Sequence, residues 1–139
     1  MKTVGLITEY NPFHNGHAYQ IKEVRRKTGA DYVIIVMSGD FVQRGEPAIT
    51  DKYLRARMAL QEGADLVLEL PVLFACAGAE YFARGGVSIL NSLGCVDTLC
   101  FGTEQEHLSD FEPAASLLTE EPPAYRQCLA SYLKEGMGY

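Results

Sequence analysis

The segment Asn11-Pro12-Phe13-His14-Asn15-Gly16-His17 holds the densest set of groups in the chain that could do chemistry. Pro12 fixes the backbone ahead of the histidines, and Gly16 suits a place where backbone meets a ligand or a helix starts tightly. Two imidazoles three residues apart across a helix start can face one pocket. The helix end adds free N–H groups and a positive dipole end, which together suit phosphate. Imidazoles there can bind phosphate oxygens and stabilise charge developing on α- and β-phosphates, with no nucleophilic side chain required. Taken alone, His14-Asn15-Gly16-His17 also fits simple surface histidines or, with His107, an incidental metal site.

The elements around the turn favour phosphate. Thr3 to Thr8 is an apolar run too short for a helix and reads as a strand that delivers the chain to the turn. His17 to Thr28 follows as a helix with Ile21 and Val24 inward, a basic outer face and Gly29 as its stop. Tyr32 to Met37 is a second strand, fully apolar and β-branched. Thr50 reads as the N-cap of a second helix whose buried face is Leu54, Met58 and Leu60, ending at Gly63. Asp65 to Leu70 is a third strand, stopped by Pro71. A third helix spans Ala79 to Leu93, with Phe82, Gly86, Ile89, Leu90 and Leu93 on one face. Gly85 and Gly86 inside it each cost about 1 kcal/mol relative to alanine, which close packing must offset. Val96 to Phe101 is a fourth strand, Leu108 to Leu118 a helix, and Pro122-Pro123 opens a last helix reaching Lys134.

Four nearly continuous apolar strands separated by helices predict an α/β fold, a doubly wound parallel sheet covered on both faces, forming a single domain over 1–139. Ligands bind such sheets at the carboxyl ends of the strands. Those ends carry Thr8-Glu9-Tyr10 and the histidine turn, Ser38-Gly39-Asp40, Glu69, and Gly102-Thr103-Glu104. Ser38 to Ile49 is a long irregular stretch, of the kind that is functional or mobile. Asp40 could place a substrate or a metal, and Arg44 and Lys52 could add positive charge near phosphates; each could equally be a solvated loop or helix-end charge. Glu69 could be satisfied by a backbone N–H, and Glu104 reads as the cap of the following helix.

Composition narrows the class. In 139 residues, 47% are hydrophobic and 22% charged, which excludes a disordered chain. A net charge of −6 argues against a basic nucleic-acid module or a polybasic membrane binder. The four cysteines, Cys76, Cys95, Cys100 and Cys128, show neither a CxxC pair nor zinc spacing and read as reduced, buried residues of a cytoplasmic protein. No protein-held metal, signal peptide or membrane span is expected.

An HxGH tetrapeptide between a first strand and a first helix is the signature of the Rossmann-like, HIGH-type nucleotidyltransferases. The longer segments GLITEYNPFHNGH, VMSGDFVQRGEPAI, GADLVLELP, ARGGVSIL and FGTE resemble the N-terminal domain of the bacterial tRNA(Met) cytidine acetate ligase family. The resemblance runs from Met1 to about Glu104 and more faintly to the end. It implies an ATP-dependent ligase that activates acetate as acetyl-adenylate, releasing pyrophosphate. The acetyl group then passes to N4 of the wobble cytidine of elongator tRNA(Met). ATP, with Mg²⁺, acetate and that tRNA are the implied cofactor and partners.

Carried over by position, the ATP-binding segment is Ile7, Thr8, Glu9, Tyr10, Asn11, Pro12, Phe13, His14, Asn15, Gly16, His17, Ala18, Tyr19 and Gln20, with Gly102 approaching from the fourth strand. His14 and His17 are the catalytic pair. In that family a later asparagine and a serine/threonine-rich Ile-Arg motif complete the ATP site, and a helical region binds tRNA. The resemblance places all of these beyond Tyr139, so this stretch carries one side of the phosphate clamp and little activity is expected of it alone. The alternatives are a truncated, non-catalytic nucleotide-binding module or a small-molecule adenylyltransferase. The GDFVQRGEP loop argues against the latter.

Overall fold

The computed structural model describes residues 1–103 and 107–137, without the side chains of Arg44 and Leu108. Strands β1 (Thr3–Thr8), β2 (Tyr32–Ser38), β3 (Leu66–Leu70) and β4 (Thr98–Leu99) form one sheet in the order β3-β2-β1-β4. Every pairing is parallel. Their β-branched, apolar sequences suit strands buried on both faces. The register aligns Thr8, Met37 and Glu69 in one row across β1, β2 and β3, at the carboxyl edge.

The two faces are covered by different helices. On one face, Ile21 and Val24 of α1 (Asn15–Thr28) and Ala59 of α2 (Lys52–Gln61) pack with Val4, Leu6, Val33, Ile35 and Met37. On the other, Ala75 of α3 (Val72–Ala75) and Leu90 of α4 (Ala79–Ser92) pack with Ile34, Val36 and Leu70. Alternate residues of β2 therefore serve alternate cores, as the pleat requires. This is the doubly wound arrangement expected from the sequence.

Gly85 and Gly86 explain how α4 comes so close. A Cβ at Gly85 would sit 2.5 Å from the Phe74 ring, and one at Gly86 would sit 2.7 Å from Ile7. Hydrogen bonds from the Thr3 N–H to Asp97 Oδ2, at 2.8 Å, and from the Asp97 N–H to the Thr3 carbonyl anchor the start of β4 beside β1.

Several local expectations change. The first helix begins at Asn15 with His14 as its N-cap, rather than at His17. Asp51, not Thr50, caps α2, its Oδ1 accepting the N–H groups of Tyr53 and Leu54. Leu54 and Leu60 are exposed, and the buried residues of α2 are Arg55 and Ala59. The fourth strand shrinks to Thr98–Leu99, and Leu93 is exposed. The cysteines are free, but Cys95 and Cys128 are exposed and Cys76 and Cys100 half-buried, so the buried reading fails.

The chain divides into two compact units, Met1–Gly102 and Thr103–Tyr139. In the second, a 3₁₀ turn at Leu108–Asp110 precedes α5 (Glu112–Glu120) and α6 (Pro123–Lys134), and no residue of either helix is buried. The single helix expected over Leu108 to Leu118 is split because Pro113 occupies the first turn of α5. Glu104 lies outside the described residues. Among the described residues, no helix is long and apolar enough to cross a membrane.

Candidate functional site

At the carboxyl end of β1 the chain turns sharply. Tyr10 adopts a left-handed conformation (φ 50°), and the Asn11–Pro12 bond is cis. Tyr10 is 1% exposed, and its ring packs edge-on against Phe13 and against the His17 imidazole. Burial pushes its phenol up to about 12, so it is a neutral packing group at any ordinary pH. The turn then delivers His14 to the start of α1 in an extended conformation (φ −146°, ψ 175°).

The histidines form a reciprocal cap. The Gly16 N–H donates to His14 Nδ1 at 3.1 Å, and the His14 N–H donates to His17 Nδ1 at 3.3 Å. Their rings stack with centroids 3.7 Å apart. A Cβ on Gly16 would fall 2.9 Å from the His14 ring, so glycine is needed for the ring to lie over the helix end. The pairing assigns the tautomer: with Nδ1 accepting, a neutral ring carries its proton on Nε2. Each imidazole thus becomes a donor without being charged.

The same cap alters the expected source of donors. The Gly16 N–H is taken by His14 Nδ1 and the His17 N–H by the His14 carbonyl. The imidazoles therefore stand in for backbone N–H groups at the positive end of the α1 dipole. Burial, and then the neighbouring His14, lowers the pKa of His17. Its proton uptake is harder in the folded chain than in the unfolded one. Stability from this group is therefore whole above the ordinary histidine value of about 6.5 and declines as pH falls from there through the lowered folded value. Thermal melts between pH 7.5 and 5 should show this decline, and His17→Asn should flatten it.

A recess of about 360 Å³ is lined by Ile7, Thr8, Glu9, Tyr10, Asn11, Pro12, His14, His17 and Gln20. Most of the segment singled out in the sequence is thus gathered at one place. Ala18 is buried in the core, Tyr19 is exposed, and Phe13 packs beneath the Tyr10 and His17 rings. Gly102 does not line the recess, although its position lies beside the Gln20 amide.

The loop after β2 is fastened to the recess. Glu9 Oε1 accepts the Gln43 N–H and Asn11 Oδ1 accepts the Ile49 N–H, both at 2.7 Å. Phe41 bridges to Pro47 across a 3₁₀ turn at Gln43–Gly45. Glu9 and Asn11 thus commit acceptor oxygens to the loop rather than leaving all of them to face a ligand. The Arg44 side chain lies outside the described residues.

Asp40 and Lys52 come together with Glu69. Lys52 Nζ lies 2.9 Å from Glu69 Oε2 and 3.4 Å from Asp40 Oδ2. The hydrogen bond to Glu69 is the main influence holding the Lys52 ammonium above its ordinary value. The lysine is committed to carboxylates, and Glu69 finds an ammonium partner instead of the backbone N–H expected for it. A separate pocket of about 190 Å³ lies against this cluster, lined by Met37, Ser38, Gly39, Lys52, Tyr53, Ala56, Val67 and Glu69. Among the described residues, no group of three or more His, Cys, Asp and Glu could hold a metal ion.

Sequence reasoning missed Arg55. It is wholly buried, and its guanidinium donates to the carbonyls of Thr50 (3.0 Å), Glu9 (2.8 Å), Ser38 (3.0 Å) and Gly39. Burial lowers its pKa, but a guanidinium stays charged at neutral pH. An arginine early in a polar helix carries no periodicity signal. Only the absence of a strong apolar stripe in α2 hints at it.

A two-histidine cap over a recess thus stands at the end of the first parallel strand, between that strand and the first helix. The chain belongs to the HIGH Nucleotidyl Transferase family, whose model matches residues 1–139. Within it, the chain matches the N-terminal third of the tRNA(Met) cytidine acetate ligases. It is 53% identical over 139 residues to the one from Acetivibrio thermocellus, covering 100% of this chain and 34% of that protein. The corresponding figures for Alkaliphilus metalliredigens are 50%, 100% and 33%. The crystal structure of Thermotoga maritima TmcAL bound with alpha-thio ATP superposes with a TM-score of 0.91 at 46% identity, covering 99% of this chain and 33% of that one. The chain spans about a third of the length of these relatives. The likeness extends through the last helices, where the motifs carried it only faintly.

Proposed function

We propose that this chain is the ATP-binding part of a tRNA(Met) cytidine acetate ligase. The observation that carries the reading is the pair of stacked, Nδ1-capped imidazoles of His14 and His17 in the recess after β1. Their Nε2–H groups would hold α- and β-phosphate oxygens and strengthen that hold as charge builds when acetate attacks the α-phosphate. Acetate oxygen would bond to phosphorus while the bond to pyrophosphate breaks. The acetyl-adenylate would then pass its acetyl group to the cytidine N4, releasing AMP. Ile7 to Gln20 would bind the nucleotide, with Gly102 at its border. Mg²⁺ would accompany the ATP and supply positive charge to its phosphates. Acetate and elongator tRNA(Met) are the remaining partners of the whole reaction, which we place in the cytoplasm.

The test compares this chain with the full-length Acetivibrio thermocellus relative. Calorimetry is expected to show ATP binding to the chain. Acetate-dependent exchange of labelled pyrophosphate into ATP is expected of the full-length protein. Exchange that ignores acetate would overturn the ligase reading, and no ATP binding by the chain would overturn its part in it.

A further inference from the structure

We infer that Arg55 is a positioning residue for the histidine turn, an assignment that rests on the nucleotide-site reading above. Three segments meet at its guanidinium: the Glu9 carbonyl at the end of β1, the Ser38 and Gly39 carbonyls at the end of β2, and the Thr50 carbonyl ahead of α2. No carboxylate forms an ion pair with it among the described residues. Its direct partners are carbonyl dipoles, with Asp40, Asp51, Glu69 and Glu9 favouring its charge from longer range. Such a charge is costly to bury unless its donors are satisfied, and these four carbonyls supply that satisfaction.

The geometry ties this hub to the recess. Glu9 immediately precedes Tyr10, whose left-handed backbone starts the turn, and Tyr10 supports the His17 ring with centroids 4.6 Å apart. Glu9 also holds the Gln43 N–H through its side chain, so one residue links Arg55 to both the turn and the loop. The fork shape of the guanidinium matters. Nε and the two Nη atoms reach carbonyls in different segments at once, which a lysine ammonium on a single stem cannot reproduce. Arg55 touches no ligand. It sets where the β1 and β2 ends stand relative to each other, and hence where the two imidazoles point.

The experiment uses the full 139-residue chain with ¹⁵N-labelled histidine. Arg55→Lys is expected to change the Nδ1/Nε2 shift pattern of His14 and His17 and to weaken ATP binding about tenfold or more, as misplaced binding groups do. Val33→Ala, at the far amino end of β2, is the stability control. It removes buried methyl groups without touching the turn and should leave the imidazole pattern unchanged. An Arg55→Lys protein with the wild-type imidazole pattern would overturn the inference, as would an equal disturbance in Val33→Ala. Arg55→Gln, which removes the buried charge while keeping donors, is the second variant if Arg55→Lys does not fold. Loss of ATP binding by the wild-type chain would instead count against the nucleotide reading and leave the imidazole comparison valid.

Discussion

Replacing His14 or His17 with alanine is expected to weaken ATP binding by about 10- to 100-fold. Each Nε2–H would donate to a charged phosphate oxygen, and hydrogen bonds to charged groups are worth about 1.5–3 kcal/mol, where 1.4 kcal/mol is tenfold. The two losses should not add, because the rings stack and His17 Nδ1 accepts from the His14 backbone. His14 carries a second duty as helix cap, so His14→Ala also forfeits about 1 kcal/mol of stability. His14→Asn separates the duties. Asparagine is a strong N-cap, so that variant should melt near the wild type while binding ATP as poorly as alanine. Calorimetry beside thermal melts reads both quantities. Wild-type affinity in His14→Asn would remove that imidazole from the site.

Gly85→Ala and Gly86→Ala are each expected to lower stability by about 1–3 kcal/mol. Helix propensity alone predicts the opposite sign, since alanine is favoured over glycine by about 1 kcal/mol inside a helix. The clash wins because a new methyl at Gly85 meets the Phe74 ring at 2.5–2.8 Å and one at Gly86 meets three atoms of the Ile7 side chain at 2.7–2.8 Å. At Gly85 the contact reaches Phe74 Cβ and Cγ, and at Gly86 it includes both branches at the Ile7 Cβ besides the terminal methyl, so neither is relieved by moving a side-chain tip alone. The two variants should differ in function. Ile7 lines the recess proposed to take ATP, so Gly86→Ala should also reduce ATP affinity, whereas Phe74 lies away from it. Urea melts and calorimetry would decide; a stabilised Gly86→Ala would mean that α4 does not pack as closely as described.

The sheet was legible because β1, β2 and β3 are short and mostly apolar, Glu69 being the one charge within them, and turn signals such as Gly39 and Pro71 follow. The histidine turn was legible because its place between strand and helix selects among the uses of two histidines. What escaped was whatever depends on contacts distant in sequence. Leu54 and Met58 lie one turn apart, with Leu60 off their face, and α2 turns Arg55 and Ala59 inward, Arg55 meeting the carbonyls of Glu9, Ser38 and Gly39. The Lys52–Glu69 pair joins α2 to β3 across seventeen residues and shows no local pattern. Val96 to Phe101 has strand composition throughout, but β1 pairs through only Val4 and Gly5 with Thr98 and Leu99.

That sheet order bears on how the chain is made. A ribosome delivers β1, α1, β2, α2 and β3 first, and these elements with their connecting turns hold every residue lining the recess, together with Arg55. The residues of the recess are therefore all made while the rest is still being synthesised. Meanwhile β1, which lies between β2 and β4 in the sheet, has one flank open until Thr98 and Leu99 emerge. An apolar strand with unpaired backbone groups is a template for pairing with other chains. The interval between translating Leu70 and Leu99 is thus one in which β1 is open to wrong pairing, and chaperone binding should rise there.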